Sequence, residues 1–313
     1  MTGHSSATAH ASTVLSRAGV GWGLLGVAAF SFTLPFTRIA IGGMSPLFIG
    51  SARAVVAAAL AGVALLLTRQ PRPTARQWLR LAVVAGGVVA GFPLLTSFAL
   101  TTAPASHAAV VVGLLPAATA VAVVLRTGER PPRSFWVFAA LGAVAAIGFA
   151  TMQSGGLGSL HGADLLLFGA VLAAAVGYAE GGLLARELGS WQTIAWALVL
   201  SAPLMAVLAA STAAVQPPHA TPEEWLAFGY LSVVSMFLGF IAWYRGLAIG
   251  PMAQVSQIQL VQPVMGIAWA ALLLHETIGL PTVLGGLAVI ACAALAVRTR
   301  LGGSARRTLR PRA

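Results

Sequence analysis

Ten apolar runs, each of roughly the length that crosses a bilayer, follow one another between residues 20 and 298 with little chain between them. They fall at 20–40, 46–67, 79–100, 106–125, 135–153, 163–185, 191–213, 225–247, 252–274 and 280–298. About 20 apolar residues in a helix cover the ~30 Å of hydrocarbon in a membrane. The runs are continuous and lack a period of two, so they predict helices and not a barrel. A soluble domain carries about 25% charged residues, whereas Asp, Glu, Lys and Arg make up 8% of this chain. A soluble globular fold and a disordered chain are both excluded, since disorder needs low hydrophobicity and high net charge. The expected fold class is an all-α integral membrane protein of ten transmembrane helices, with the lipid bilayer as its surroundings.

The few charges then set the topology. All 18 basic residues are arginine, and the net charge is +11. In a soluble protein that balance suggests nucleic-acid binding. Here Arg17, Arg69, Arg72, Arg76, Arg80, Arg126, Arg130, Arg133, Arg186 and the arginines from Arg298 to Arg312 sit at run ends that alternate in sidedness. The opposite loops (39–45, 101–105, 154–162, 214–224 and 275–279) hold His161, His219, Glu223, Glu224, His275 and Glu276, and no arginine. The positive-inside rule asks for this split. It places both termini in the cytoplasm of a cell whose inner membrane holds the chain, and leaves no role for nucleic acid. No cleavable signal peptide is expected, because the first apolar run is a full span. The single cysteine, Cys292, rules out an internal disulfide.

The two halves share landmarks. A spacing of 147 residues carries Trp78 onto Trp225, Leu100 onto Leu247, Pro104 onto Pro251, Pro116 onto Pro263 and Glu129 onto Glu276. Five spans per repeat is an odd number, so the second repeat must enter the membrane from the other side, the inverted-repeat plan of secondary transporters. The expected organisation is a tail (1–18), a first repeat (19–153), a linker (154–162), a second repeat (163–298) and a basic tail (299–313).

Several stretches resemble the EamA family of the drug/metabolite transporter superfamily. They are Phe30-Ser31-Phe32-Thr33-Leu34-Pro35, Arg53, and Leu114-Leu115-Pro116 through Gly128-Glu129-Arg130 in the first half. In the second half they are Ala242-Trp243-Tyr244-Arg245-Gly246-Leu247 through Gly250-Pro251, then Gln262-Pro263-Val264 and His275-Glu276. The order and doubled spacing of these stretches, over about 20–298, are more specific than any one of them. The resemblance implies a ten-helix transporter with a central cavity that exports or exchanges small metabolites such as amino acids or drug-like compounds.

Polar residues deep in apolar spans are the candidates for function, because lipid does not tolerate them. Glu180 is the acid well inside a run. It is expected to pair with an arginine, Arg186 being one to two turns away, and its alternative role is proton coupling. Arg53 is expected to clamp backbone carbonyls or a helix end; the alternative is an anchor for a substrate carboxylate or phosphate. Arg38 is expected to snorkel to the headgroups. Gln254, Ser256, Gln257, Gln259 and Gln262 make the ninth run the most polar, and a cavity lining is expected of Gln254, Gln257 and Gln259 beyond interhelical hydrogen bonds. Ser31, Thr33, Thr96, Tyr178 and Trp243 complete the cavity candidates, while Tyr244 fits an interfacial aromatic. Pro116 and Pro263 are expected to bend equivalent helices. Two runs of small residues, Gly50-Ala54-Ala58-Gly62 and Gly169-Ala173-Gly177-Gly181, suit close helix packing. Glu129 and Glu276 are expected to lock helix ends.

No Walker motif, H-E-x-x-H or G-x-S-x-G occurs. No catalytic residue, metal or cofactor is expected. A secondary transporter working by alternating access is the leading reading, as a monomer or homodimer with a small-molecule substrate. An intramembrane enzyme and a non-transporting scaffold are the alternatives.

Overall fold

The computed structural model describes residues 4–153, 161–249 and 258–308, and every regular element among them is helical. Nine helices are long and apolar enough to cross a membrane: α1 (Ala18–Ala40), α2 (Pro46–Leu67), α3 (Ala75–Ala99), α4 (Ala105–Thr127), α5 (Arg133–Met152), α6 (Gly162–Leu188), α7 (Ser190–Val215), α8 (Pro222–Ile249) and α10 (Leu280–Thr299). The ninth expected span is described as a shorter apolar helix, α9 (Gln259–Leu274). Large apolar side chains cover the outside as well as the interior: Leu66, Leu67, Leu125, Leu226 and Val215 are all more than 70% exposed. Such a surface suits lipid and not water. The protein is a ten-helix membrane protein.

The repeat is visible in the backbone. Thr74 and Gln77 form a capping box at the start of α3, and Thr221 and Glu224 form its counterpart at the start of α8. Each satisfies amides that a helix start leaves unpaired. A π-helical turn follows in both, at Ala85–Gly91 and at Leu231–Leu238. Helix α4 is interrupted by a turn at Gly113 and Leu114 and resumes at Leu115; α9 opens with a 3-10 turn at Gln259–Val261 and continues as α-helix from Gln262. Pro116 and Pro263 each sit in the first turn of the segment that follows, where the missing N–H does no harm. Both helices end on a left-handed residue, Gly128 at φ 68° and His275 at φ 54°.

The packing carries the same symmetry. Helix α1 packs on α8 and α3 on α6; α4 packs on α6 and α1 on α9; α2 pairs with α7, α4 with α9 and α5 with α10. Exchanging the halves turns each of these contacts into itself or into another of them. Glu276, just past the end of α9, accepts the amides of Ala105 (2.7 Å) and Ser106 (2.9 Å) at the start of α4. The last turn of α9 therefore meets the first turn of α4, so these equivalent helices run in opposite directions and the repeats are inverted. The lock expected of Glu276 is in place.

Helices in lipid associate through close packing, not through hydrophobic exclusion, and small residues allow it here. A Cβ on Gly177 would lie 2.7 Å from Val88 Cγ1, and one on Gly87 would lie 2.9 Å from the Gly177 Cα. The α3–α6 contact depends on both glycines. The loops between α2 and α3 and between α4 and α5, together with the end of α6, carry arginines; that face of the bundle is the basic end.

Candidate functional site

Six helices, three from each repeat, surround a central cavity. The first repeat contributes Phe30 and Thr33 from α1, Arg53 from α2, and Val88, Phe92 and Pro93 from α3. The second contributes Ala174 and Tyr178 from α6, Ser235, Met236 and Phe240 from α8, and Gln262 from α9. Both π turns face this space: Val88 lies in one, Ser235 and Met236 in the other. Wider turns of this kind often mark functional positions in helices. Thr33 and Ser235 join the two repeats through a hydroxyl–hydroxyl bond of 2.8 Å. The centre of a water molecule has about 20 Å³ to occupy, the room of a single water, so the cavity is narrow.

Arg53 is 1% exposed, yet its Nε and Nη2 have no hydrogen-bond partner among the described residues. Gln262 turns an equally unpaired Oε1 into the same cavity. Among the described residues, neither Nε nor Nη2 of Arg53 clamps a backbone carbonyl or a helix end. Isolated buried charges are expensive and normally paired; Nε and Nη2 of this guanidinium stand unpaired at a cavity wall.

Glu180 lies away from this cavity, at the basic end. Its carboxylate accepts Arg126 Nε at 2.6 Å and Nη2 at 3.4 Å, and also Arg80 Nε; Arg80 further bonds Glu187. The ion-pairing expectation holds, with different partners: Arg80 from α3 and Arg126 from α4, not Arg186. Three helices are thereby tied together at one end of the cavity. At the other end aromatic rings close the bundle. Phe32 stacks on Trp269 with centroids 4.4 Å apart, and Phe36 meets Tyr230 edge-on at 4.8 Å. Trp269 Nε1 donates to Ser31 Oγ at 3.0 Å.

The remaining candidates divide. Thr33, Tyr178 and Arg53 line the central cavity. Trp243 and Gln259 line a second compartment of similar size on the basic side of Tyr178. Ser31 donates to the carbonyl of Ala28 and accepts from Trp269, and Thr96 donates to the carbonyls of Phe92 and Pro93; neither is among the residues that line the central cavity. Gln254, Ser256 and Gln257 lie outside the described residues. Arg38 donates to the carbonyls of Leu100 and Thr101, where α3 leaves them unpaired. Tyr244 is fully buried against Gly181, so it is not an interfacial aromatic.

Sequence reasoning passed over Ser235, Phe30, Phe240 and Thr119 as lining, and Arg80 and Arg126 as partners of Glu180. The repeat spacing signals Ser235, because the first π turn precedes Pro93 and its image falls there. Nothing local signals Arg80 and Arg126, which read as loop-end arginines.

The model of the EamA-like transporter family matches residues 17–151 and again 161–298. A protein of Bacillus subtilis (strain 168), named as the uncharacterized transporter YdeK, is 46% identical over 288 residues, covering 89% of this chain and 97% of that protein. A solved crystal structure aligns with 94% of this chain and 99% of its own at a TM-score of 0.62 and 20% identity, a likeness of fold.

Proposed function

The chain belongs to the EamA-like transporter family, and from that premise we propose that it is a secondary transporter for a small anionic metabolite, held at Arg53 between the two repeats. The observation that carries this reading is the buried, unpaired guanidinium of Arg53 beside the unpaired carbonyl of Gln262. A carboxylate or phosphate fits the guanidinium fork in two parallel hydrogen bonds. An adjacent donor on the solute would satisfy Gln262. The aromatic rings of Phe30, Tyr178 and Phe240 offer apolar contact to the rest of a small molecule.

Alternating access follows from the inverted repeats. The ion pairs of Glu180 close the basic end and the Phe32–Trp269 stack closes the other; release of one while the other holds exposes Arg53 to each side in turn. The irregular turns of α4 and α9 supply the flexible joints. The arginine distribution supports a cytoplasmic basic end in a bacterial cell with the chain in the inner membrane. Export or exchange is the expected mode. The geometry around Glu180 favours an ion-pair closure over a proton carrier, since both carboxylate oxygens are occupied by arginines.

Counterflow in proteoliposomes tests this. A panel of monocarboxylates, amino acids and sugar phosphates is loaded inside and the uptake of the same labelled compounds is followed. Saturable exchange of at least one anionic member is expected, lost in Arg53→Gln and partly kept in Arg53→Lys. Exchange confined to neutral or cationic members, or unchanged in Arg53→Gln, would refute the anion reading.

A further inference from the structure

Among the described residues, every buried side-chain nitrogen or oxygen without a hydrogen-bond partner belongs to one of five residues: Arg53, Thr119, Trp243, Gln259 and Gln262. Arg53 and Gln262 line the central cavity. The other three line the second compartment, beyond Tyr178. Unsatisfied groups scattered by imperfect packing would not gather in two spaces.

The second compartment lies between α4, α6, α8 and α9. Trp243 is 1% exposed and Gln259 3% exposed. Their free atoms, Trp243 Nε1 and Gln259 Nε2, can only donate; the hydroxyl of Thr119 can do either. No Asp, Glu, Arg or His lines the space. Apolar atoms of Pro116, Ala120, Val123 and Leu247 supply the rest of the wall. The centre of a water has about 30 Å³ here. A buried donor left without an acceptor is destabilising, and three such groups from three helices line this one compartment. Tyr178 lines both compartments, and its ring lies 6.0 Å from that of Trp243 and 6.4 Å from that of Phe30. The two spaces are therefore neighbours with one aromatic ring between them.

We propose that the compartment formed by Thr119, Trp243 and Gln259 is a second binding station, which takes a neutral acceptor oxygen (a carbonyl, amide or sulfoxide oxygen) on the basic side of Tyr178. Its chemistry is the complement of the first station. Arg53 selects an anionic group, whereas this site has no charge and three donors, so it selects lone pairs without charge. Its purpose in carrying a solute rests on the transport reading; its ligand chemistry rests on the three side chains alone. The division of labour gives a solute with an anionic head and a neutral oxygen two successive holds as it passes Tyr178.

The test uses the full chain in lipid nanodiscs, with nitrogen-15 in tryptophan and arginine, observed by NMR. Dimethyl sulfoxide is the probe for the second station, dimethyl sulfide is its counterpart without the oxygen, and acetate is the probe for Arg53. The Trp243 indole signal is assigned by Trp243→Phe, or by its nuclear Overhauser contacts to the Tyr178 ring if that variant is unstable. Dimethyl sulfoxide is expected to shift the Trp243 indole N–H downfield, saturably and alone among the eight tryptophans. Dimethyl sulfide should leave it in place. Gln259→Leu should weaken the sulfoxide response several-fold without moving the acetate response of Arg53. An indole that ignores the sulfoxide, responds equally to the sulfide, or shifts together with all other tryptophans overturns the station. If acetate moves Arg53 while the sulfoxide leaves Trp243 alone, the second station fails and the anion site stands. If the sulfoxide moves Trp243 while acetate leaves Arg53 alone, the station stands and the anion reading fails.

Discussion

Arg53 poses a question of stability as much as of binding. A guanidinium that clamps a helix end contributes to the fold, and its removal destabilises. A guanidinium with free Nε and Nη2 in a buried wall does the opposite: the empty protein carries an uncompensated charge, and a ligand relieves it. Arg53→Met is therefore expected to raise the melting temperature of the ligand-free protein by a few degrees, at about 2–4 °C per kcal/mol for a chain of this order, while abolishing exchange. A fall in melting temperature would restore the clamp. The same trade is common where function needs a strained or unpaired group. The sequence reveals that Arg53 lies in a span, because arginine in an apolar run is rare. It does not reveal whether a partner faces it, because that depends on helices distant in sequence. Arg38 shows the converse, with its partners at Leu100 and Thr101. Glu180 is intermediate: pairing with an arginine is legible, but the choice of Arg80 and Arg126 over Arg186 is set by the approach of α3 and α4 to α6.

Among the helices, the starts and breaks explain how the cavity is shaped. Glu276 fills the first turn of α4 with a carboxylate, where the helix dipole and the unpaired amides favour a negative group. Glu276→Ala should lower stability by about 1–2 kcal/mol, the usual loss for a helix cap, and should speed hydrogen exchange at Ala105 and Ser106 before it affects exchange elsewhere. Uniform acceleration across the bundle would argue against a local cap. At the α3–α6 contact, Gly177→Leu should separate the helices and cost folding or detergent stability outright, whereas Gly148→Ala in α5, which has open space around it, should be neutral. The irregularity of α4 and α9 was legible, since proline in a helix signals its own effect. The π turns were not. Pro93 follows one of them, but Leu231–Leu238 contains no proline, so composition gives no sign that the equivalent turn widens. The repeat spacing of 147 residues was the only available pointer, and it needed one turn to be known before it indicated the other.

For the whole molecule, two dissimilar closures on one symmetric frame imply that the two ends open by different means. The basic end is held by charges, with Glu180 between Arg80 and Arg126 and Glu187 alongside. Arg126 is half exposed, so this network ranks between a surface pair and a buried one, about 1–2 kcal/mol. Its loss should raise the population open to the basic side about five- to thirtyfold. A cysteine at Ser235, in a chain whose Cys292 is replaced by alanine, reports that opening, since Ser235 lines the central cavity. Glu180→Gln should then speed labelling of the reporter by a membrane-impermeant thiol reagent added from the basic side, and slow it from the other. Phe32→Ala, which removes the stack on Trp269, should reverse the preference. The same variant separates the two roles of Glu180. As a closure, Glu180→Gln alters labelling with the membrane gradient absent and affects exchange and gradient-driven flux together. As a proton carrier, it abolishes gradient-driven flux, preserves exchange and leaves the labelling pattern unchanged. The inverted frame makes the second outcome harder to obtain, because any group that bonds α3, α4 and α6 at one end must let go for the repeats to rock.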